Sequence, residues 1–293
     1  MVTAAAPTVG LLHPGEMGAA VGAALLASGI PVLWVGQGRS KATRERADAA
    51  GLTDAGSLPE LLRASSVVLS ICPPEAAHGV AELVAANNFQ GVYVDANAIS
   101  PKSARMIEKL IRESGSAFVD AGIIGGPPGP EAAHLYLSGE GASAVALLFA
   151  CADHLTTTVL EGPAGTASAL KMCYAAWTKG STALLLAALA AADALRVDQA
   201  LLEEWKESQP ELAMRLERTV QSAPRKAWRF VAEMEQIADT LEAAEVPGGF
   251  HRAAAEIYSR LARFRKHTTG PTLEELLRAV GDRDSKGTVK QKN

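Results

Sequence analysis

The hydrophobic pattern changes character once along the chain. In the first part, short apolar runs predict strands at Thr8–Leu12, Val32–Val35, Val67–Ile71, Val92–Asp95, Ala117–Ala121, His134–Ser138 and Thr156–Leu160, with one more near Leu52. Between them lie segments of helical composition, about Glu16–Ser28, Ser40–Ala50, from Ser57, Glu75–Ala86, Ser100–Glu113 and from Ala142. Ser57-Leu-Pro-Glu60 has the form of a capping box, and Ser100 followed by Pro101 is a cap with proline in the first turn. Strands alternating with helices of this length predict βαβ units and a largely parallel sheet. After Gly162 every segment reads as helix: Gln199–Glu207, Pro210–Val220, Arg225–Glu245, Gly249–Arg265 and Thr272–Val280. The sequence thus predicts an α/β domain over 1–162, an all-α domain over 163–280, and a polar, disordered tail over 281–293.

The joint is a single long helix between Gly162 and about Leu195, rich in Ala and Leu and without an interior proline. Its stretch Gly180–Ala192 carries no charge and is apolar nearly all round, which predicts burial, and it is too short to span a bilayer. Earlier in the helix, Lys171, Tyr174, Thr178 and Thr182 recur at helical spacing and share one face. A lysine near the start of a core helix must reach water, a partner or a cleft. The bland reading of Lys171 is a snorkelling side chain at the domain junction; the sharper one is a working amine in the cleft between the two parts.

Composition narrows the field. Over 293 residues the net charge is −4, which gives no reason to expect nucleic acid or an acidic membrane as partner. Cys72, Cys151 and Cys173 lack CxxC spacing and lie in apolar runs, as expected of reduced core thiols in a cytoplasmic protein. The six histidines form no HxxxH or HExxH pair, so no metal is expected.

Between the first strand and first helix lies Val9-Gly10-Leu11-Leu12-His13-Pro14-Gly15-Glu16-Met17-Gly18. Gly15 and Gly18 take the last two positions of GxGxxG, in the strand-to-helix context that a Rossmann dinucleotide fold requires, while His13 stands at the first. A pyrophosphate would lie on the helix N-terminus. NAD sites usually end the second strand with an acid about 20 residues past the loop. Here the strand runs into Gly36-Gln37-Gly38-Arg39-Ser40, with Lys41 and Arg44 nearby and no acid before Glu45. Arg39 and Ser40 are therefore expected to hold a 2′-phosphate, making the cofactor NADP(H).

These pieces resemble the β-hydroxyacid dehydrogenases and the related 6-phosphogluconate dehydrogenases and imine reductases. The resemblance lies in four segments: the loop from Gly10 to Gly18 (GxxGxGxMG), Asp95–Pro101 (DxSTxxP), Asp120–Gly126 (DAPVSGG), and Gly162–Gly165 followed by Lys171 (GxxGxGxxxKxxxN). The helical part resembles an uncharacterised C-terminal domain of some phosphogluconate-dehydrogenase-like proteins. The resemblance implies a Rossmann domain followed by an all-α domain. It implies that Gly10, His13, Pro14, Gly15, Glu16, Met17, Gly18, Arg39, Ser40, Cys72, Pro73 and Asn97 hold the cofactor. It further implies Lys171 as general acid/base, Asn97, Gly125, Gly126 and Tyr174 as substrate contacts, and a homodimer with interlocked helical domains. Four departures separate the chain from the pattern: His13 for glycine, Asn97-Ala98 for Ser-Thr, Ile124 for serine, and Ala175 for the asparagine four residues past the lysine. Hydride exchange with a small hydroxy or keto compound is the first expectation. Reduction of an imine, and NADPH binding without catalysis, are the alternatives. His251 and Tyr258, on one face of a later helix, could close the cleft; the first expectation is that they are structural, with His251 a satisfied core histidine.

Overall fold

The computed structural model describes residues 7–129, 132–266 and 270–282. Of the tail expected over 281–293, residues 283–293 lie outside the described residues. The chain divides into two compact units, Met1–Met172 and Cys173–Asn293.

The first unit is built on an eight-stranded sheet: β1 (Val9–Leu11), β2 (Val32–Trp34), β3 (Thr53–Asp54), β4 (Val67–Ser70), β5 (Val92–Asp95), β6 (Ala117–Ile124), β7 (Ala133–Ser138) and β8 (Leu155–Val159). The strand order is β3-β2-β1-β4-β5-β6-β7-β8, parallel throughout except where β7 runs antiparallel to β6. The helices are α1 (Glu16–Ala27), α2 (Lys41–Ala49), α3 (Leu58–Ala64), α4 (Ala77–Ala86, preceded by a 3-10 turn at Pro74–Ala76), α5 (Pro101–Glu113) and α6 (Ala142–Leu147). Both N-caps read from sequence form, Ser57 accepting from the Glu60 N–H and Ser100 from the Ser103 N–H. The expected capping box is only half made: the Ser57 N–H goes to the Ala55 carbonyl, and Glu60 Oε2 accepts from the Ser57 hydroxyl instead. The central strands are buried on both faces, as parallel strands between helix layers must be. One apolar cluster joins the sheet to α1 and α6 (Leu11, Val21, Leu25, Val94, Val119 and Val145), and a second lies under α3, α4 and α5 (Leu61, Val84, Tyr93, Ile107 and Phe118).

The long helix α7 (Thr166–Ala194) starts in this unit and continues into the next. Among the described residues it is the helix long and apolar enough to cross a membrane by length and composition. Hydrogen bonds tie its first turn to the sheet, as described below, so it is read as a core helix.

The second unit holds the rest of α7 with α8 (Asp198–Ser208), α9 (Glu211–Ala243), α10 (Gly249–Leu261, extended by a 3-10 turn at Ala262–Lys266) and α11 (Leu273–Val280). Its core includes Leu186, Leu189, Met234, Ile237, Tyr258 and Leu261. Gly180 lets α10 approach α7: a Cβ there would lie 2.9 Å from His251 Nε2. His251 Nε2 lies 3.2 Å from the Ala176 carbonyl, and the Tyr258 hydroxyl donates to the Lys179 carbonyl at 2.8 Å, so both side chains serve the packing. His251 Nδ1, however, is buried without a partner, so the histidine is only half satisfied.

Three expectations are corrected here. The two helices expected at Pro210–Val220 and Arg225–Glu245 are one, α9, which runs through Pro224. Proline inside a helix costs about 3 kcal/mol, and burial of Ala227, Met234, Ile237 and Ala238 on the same helix outweighs that cost. The cysteines are not core thiols: Cys151 and Cys173 are exposed and Cys72 is half-buried. The apolar stretch of α7 is not wholly buried either, since Leu184 is 54% exposed.

Candidate active site

The register of the parallel strands sets one level across the sheet. Ser70 pairs with Asp95 and Asp95 with Asp120, so two residues further on Cys72, Asn97 and Gly122 stand side by side at the carboxyl edge. The loop after β1 opens onto the same edge, because β1 runs parallel to β4 with Leu11 opposite Leu69. Crevices at this edge are where open parallel sheets bind ligands.

The three loop glycines have three different reasons to be glycine. At Gly10 a Cβ would lie 2.4 Å from Leu61 Cδ2, so α3 packs directly on the strand. At Gly18 it would lie 2.2 Å from the His13 carbonyl oxygen, which fixes the turn. At Gly15 nothing lies within 4 Å and φ is −67°, so neither packing nor backbone conformation requires glycine. What an absent Cβ leaves there is open backbone at the start of α1, whose first N–H groups have no partner within the helix. That is the cradle a pyrophosphate needs, and the residues present fit a dinucleotide. Glu16 and Met17 occupy this first helical turn, with Met17 packed partly into the core.

His13, in place of the usual glycine, turns the loop with its carbonyl accepting the Gly15 N–H at 2.9 Å. Burial, with the Arg39 charge adding to it, lowers its imidazole to about 4, so the ring is neutral at pH 7. Its Nδ1 is buried without a hydrogen-bond partner. Two guanidinium groups clamp the loop: Arg39 donates to the Leu12 carbonyl at 3.1 Å and Arg46 to the Pro14 carbonyl at 3.2 Å. Ser40 caps α2, accepting from the Thr43 N–H at 3.2 Å.

Asn97 is placed otherwise than expected. Its Oδ1 accepts the Cys72 N–H at 2.6 Å, its Nδ2 donates to Ser70 Oγ at 3.1 Å, and the residue is only 2% exposed. The amide therefore locks the Cys72-Pro73 turn to the end of β5 instead of facing outward as a substrate contact. Burial also pushes the Cys72 thiol up to about 12, so it stays protonated.

Beneath Asn97, the Asp95 carboxylate accepts its N–H at 3.0 Å through Oδ1, while Oδ2 is buried without a partner. Burial pushes Asp95 up to about 7; the Asn97 N–H works against this and the Asp120 charge adds to it. The unfolded chain releases this proton near pH 4, so the folded state holds an extra proton between about 4 and 7. The contribution of Asp95 to stability is therefore full below about pH 4 and is lost as pH rises through about 7. We expect thermal melts of the wild type to show Tm falling from pH 5 to pH 8, and Asp95→Asn to flatten the curve. The loss amounts to about 2–4 kcal/mol across the window. A variant with the wild-type pH slope would refute this assignment.

Lys171 stands one turn into α7, half-buried, and its Cβ packs on β6: a Cβ on Gly122 would lie 3.0 Å away. What fixes this turn is Asp120. Its buried carboxylate accepts from the Gly165 N–H (2.9 Å), the Ser168 N–H (3.0 Å), Ser168 Oγ (2.5 Å) and Ser138 Oγ (2.8 Å). Ser138 Oγ in turn accepts the Ala167 N–H at 3.0 Å. A carboxylate at a helix N-terminus also complements the helix dipole. Gly125 has φ of +114° and packs against Ala132 and Ala133, so it is a turn glycine, whereas Gly126 is open. Tyr174 belongs to the second unit and is half-exposed. Lys179 forms an ion pair with buried Glu233 and lies over the Phe230 ring, so it packs within the second unit.

Ser138, Ser168, Asp54 and the anchoring role of Asp120 carry no motif in the sequence and emerge from the fold. A lone acid in the middle of a buried strand was the available signal for Asp120.

The fold and the loop define a nicotinamide-dinucleotide-binding domain of the dehydrogenase and reductase class. Residues 8–160 match the NAD binding domain of 6-phosphogluconate dehydrogenase, and the chain belongs to that family. Residues 192–261 match a domain of unknown function (DUF1932). The chain is 31% identical over 173 residues to an uncharacterised 28.5-kDa protein of Methanothermus fervidus, a match spanning 59% of this chain and 66% of that one. Among solved structures it is similar to a conserved protein of unknown function reported to resemble 3-hydroxyacid dehydrogenases (30% identity, TM-score 0.63, 88% of this chain and 98% of that one). It shares its fold with Mycobacterium tuberculosis 3-hydroxyisobutyrate dehydrogenase studied with L-serine (19%, TM-score 0.68, 94% and 99%). It also shares it with an Aspergillus terreus reductive aminase in complex with NADPH and ethyl levulinate (18%, TM-score 0.55, 93% and 98%).

Proposed function

We propose that this protein is an NADP(H)-dependent oxidoreductase that interconverts a small hydroxy compound and its keto form, with Lys171 as general acid/base. The observation that carries the reading is the fixation of Lys171 on Gly122, at the level of the sheet edge where the glycine loop also opens. The nicotinamide, when bound, supplies or takes up the hydride. Gly15 and the first N–H groups of α1 hold the pyrophosphate, with His13, Pro14, Cys72 and Pro73 lining the edge. Arg39, Ser40 and Arg44 lie around the end of β2 and favour a 2′-phosphate. In the reductive direction Lys171 Nζ stabilises the charge that develops on the substrate oxygen and delivers a proton to it; in the oxidative direction it takes that proton. The N–H groups at Gly125 and Gly126 receive the far end of the substrate. The test is a panel of hydroxyacids, keto acids, alcohols and cyclic imines followed by NADPH absorbance, each repeated with Lys171→Ala.

One observation favours imine reduction as a second reading. The Asn97 amide is engaged by Cys72 and Ser70, and Ile124 replaces a polar residue, so little at this edge would recognise a carboxylate. Turnover of imines alone would select that reading.

The proposal extends to a homodimer. Trp177 (73% exposed) and Leu184 (54%) share one face of α7, Leu195 (74%) follows directly after its end, and exposed apolar side chains of this size call for cover. We expect sedimentation at twice the chain mass, and monomer from Leu184→Glu; a monomeric wild type would refute the dimer.

A further inference from the structure

We infer that Asp54 is a cofactor-selecting residue: it carries to the adenosine-ribose end of the site a carboxylate that opposes a 2′-phosphate, against the pull of Arg44. The inference rests on the reading that the β1–α1 loop holds a dinucleotide, and it deepens that reading. Dinucleotide sites that accept a 2′-hydroxyl place an acid at the end of the second strand. In this chain Gly36 stands there, and the sequence around it holds no acid. The sheet supplies one from the neighbouring strand.

β3 lies parallel to β2 with Asp54 opposite Trp34, two residues before Gly36. Asp54 Oδ1 accepts the Gly36 N–H at 3.0 Å and the Gly56 N–H at 2.9 Å. Its Oδ2 lies 2.3 Å from where a Gly36 Cβ would be, so the carboxylate fills the space a side chain at 36 would take. The Arg44 guanidinium Nη1 lies 3.1 Å from the same point. The two backbone N–H groups hold the Asp54 carboxyl below its ordinary value, so it is ionised at neutral pH. A carboxylate and a guanidinium thus both border the point where a side chain at 36 would stand, which this reading takes as the place where NAD(H) and NADP(H) differ. A 2′-hydroxyl gives Asp54 Oδ2 a donor, whereas a 2′-phosphate sets like charges side by side and leans on Arg44, Arg39 and Ser40. Discrimination between the two dinucleotides is accordingly set by the balance of Asp54 and Arg44.

Asp54→Asn tests this directly. Asp54 is exposed, and asparagine keeps an oxygen for the Gly36 and Gly56 N–H groups, so the fold is preserved and melting checks that it is. Binding of NADPH and of NADH is measured by fluorescence, without any substrate, on the full chain. Adenosine 2′,5′-bisphosphate serves as a competing probe for the phosphate alone. We expect the variant to shift the ratio of the two dissociation constants about tenfold toward NADPH (~1.4 kcal/mol), with the bisphosphate tightening in step. Arg44→Ala, also at an exposed position, should move the ratio threefold or more the other way. A shift below threefold in Asp54→Asn, or one toward NADH, overturns the role of Asp54. A wild type that prefers NADH would instead refute the NADP(H) reading and leave the Asp54 ratio test standing. Failure of either dinucleotide to bind at all would refute both.

Discussion

Lys171→Ala is expected to lower kcat by about 10²–10⁴-fold, the range a positioned general acid or base contributes, while NADPH binds within threefold of wild type. The split matters because it separates chemistry from structure. Lys171 sits on a helix turn whose geometry is set by Asp120, Ser138 and Ser168, none of which depends on the lysine side chain. Removing the amine should therefore leave the turn in place, and the glycine loop follows β1, three strands away from β6 in the sheet. Lys171→Arg should not recover the rate. Arginine keeps the positive charge, so it retains some stabilisation of a developing oxyanion, but its guanidinium does not exchange a proton near neutral pH. If the arginine variant regains more than a tenth of the wild-type rate, the residue acts through charge alone and the acid/base role fails. If the alanine variant retains the rate, Lys171 has no part in the chemistry. A variant that loses NADPH binding together with turnover would mark the lysine as structural.

The architecture was legible because it depends on periodicity. Apolar runs of four or five residues separated by capped helices predict a parallel sheet, and the strands expected at Val67–Ile71 and Val92–Asp95 formed as β4 and β5. The family could be read because Gly10, Gly15 and Gly18 hold a fixed spacing within one strand-to-helix turn, although only Gly18 answers to a local backbone contact, while Gly10 makes room for Leu61 and Gly15 leaves open backbone. What the sequence hid were contacts between residues far apart in the chain. Asp54 is 18 residues from Gly36, on a strand of two residues too short to carry a periodic signal, so the end of β2 read as lacking an acid. Asn97 read as a substrate group because its type and position fitted one. Its engagement depends on Cys72 and Ser70, about 25 residues earlier, which meet it through strand register alone. Pro224 is the opposite case: a strong local rule gives way to packing along α9.

Asp120→Ala is expected to be the most damaging single change in the first unit, lowering stability by about 3–5 kcal/mol. The buried carboxylate is the common acceptor for two backbone N–H groups and two hydroxyls. Alanine leaves all four donors in an apolar surround with no replacement, and each unmade bond of a buried donor costs about 1–3 kcal/mol before relaxation. Denaturant unfolding of the full chain measures the loss. Asp120→Asn sharpens the test, because the amide keeps one oxygen but turns an NH₂ group toward donors. It should therefore recover only part of the stability, and its remaining activity should fall in kcat more than in the affinity for NADPH. That asymmetry follows from geometry: the bonds of Asp120 go to residues 165 and 168, one turn before Lys171, and not to the glycine loop. Loosening them frees the turn that carries the amine and leaves the pyrophosphate cradle intact. A fully stable Asp120→Ala protein would mean that the helix start is held by packing against Gly122 alone. Equal losses in NADPH affinity and kcat would mean that Asp120 supports the whole domain rather than the placement of Lys171.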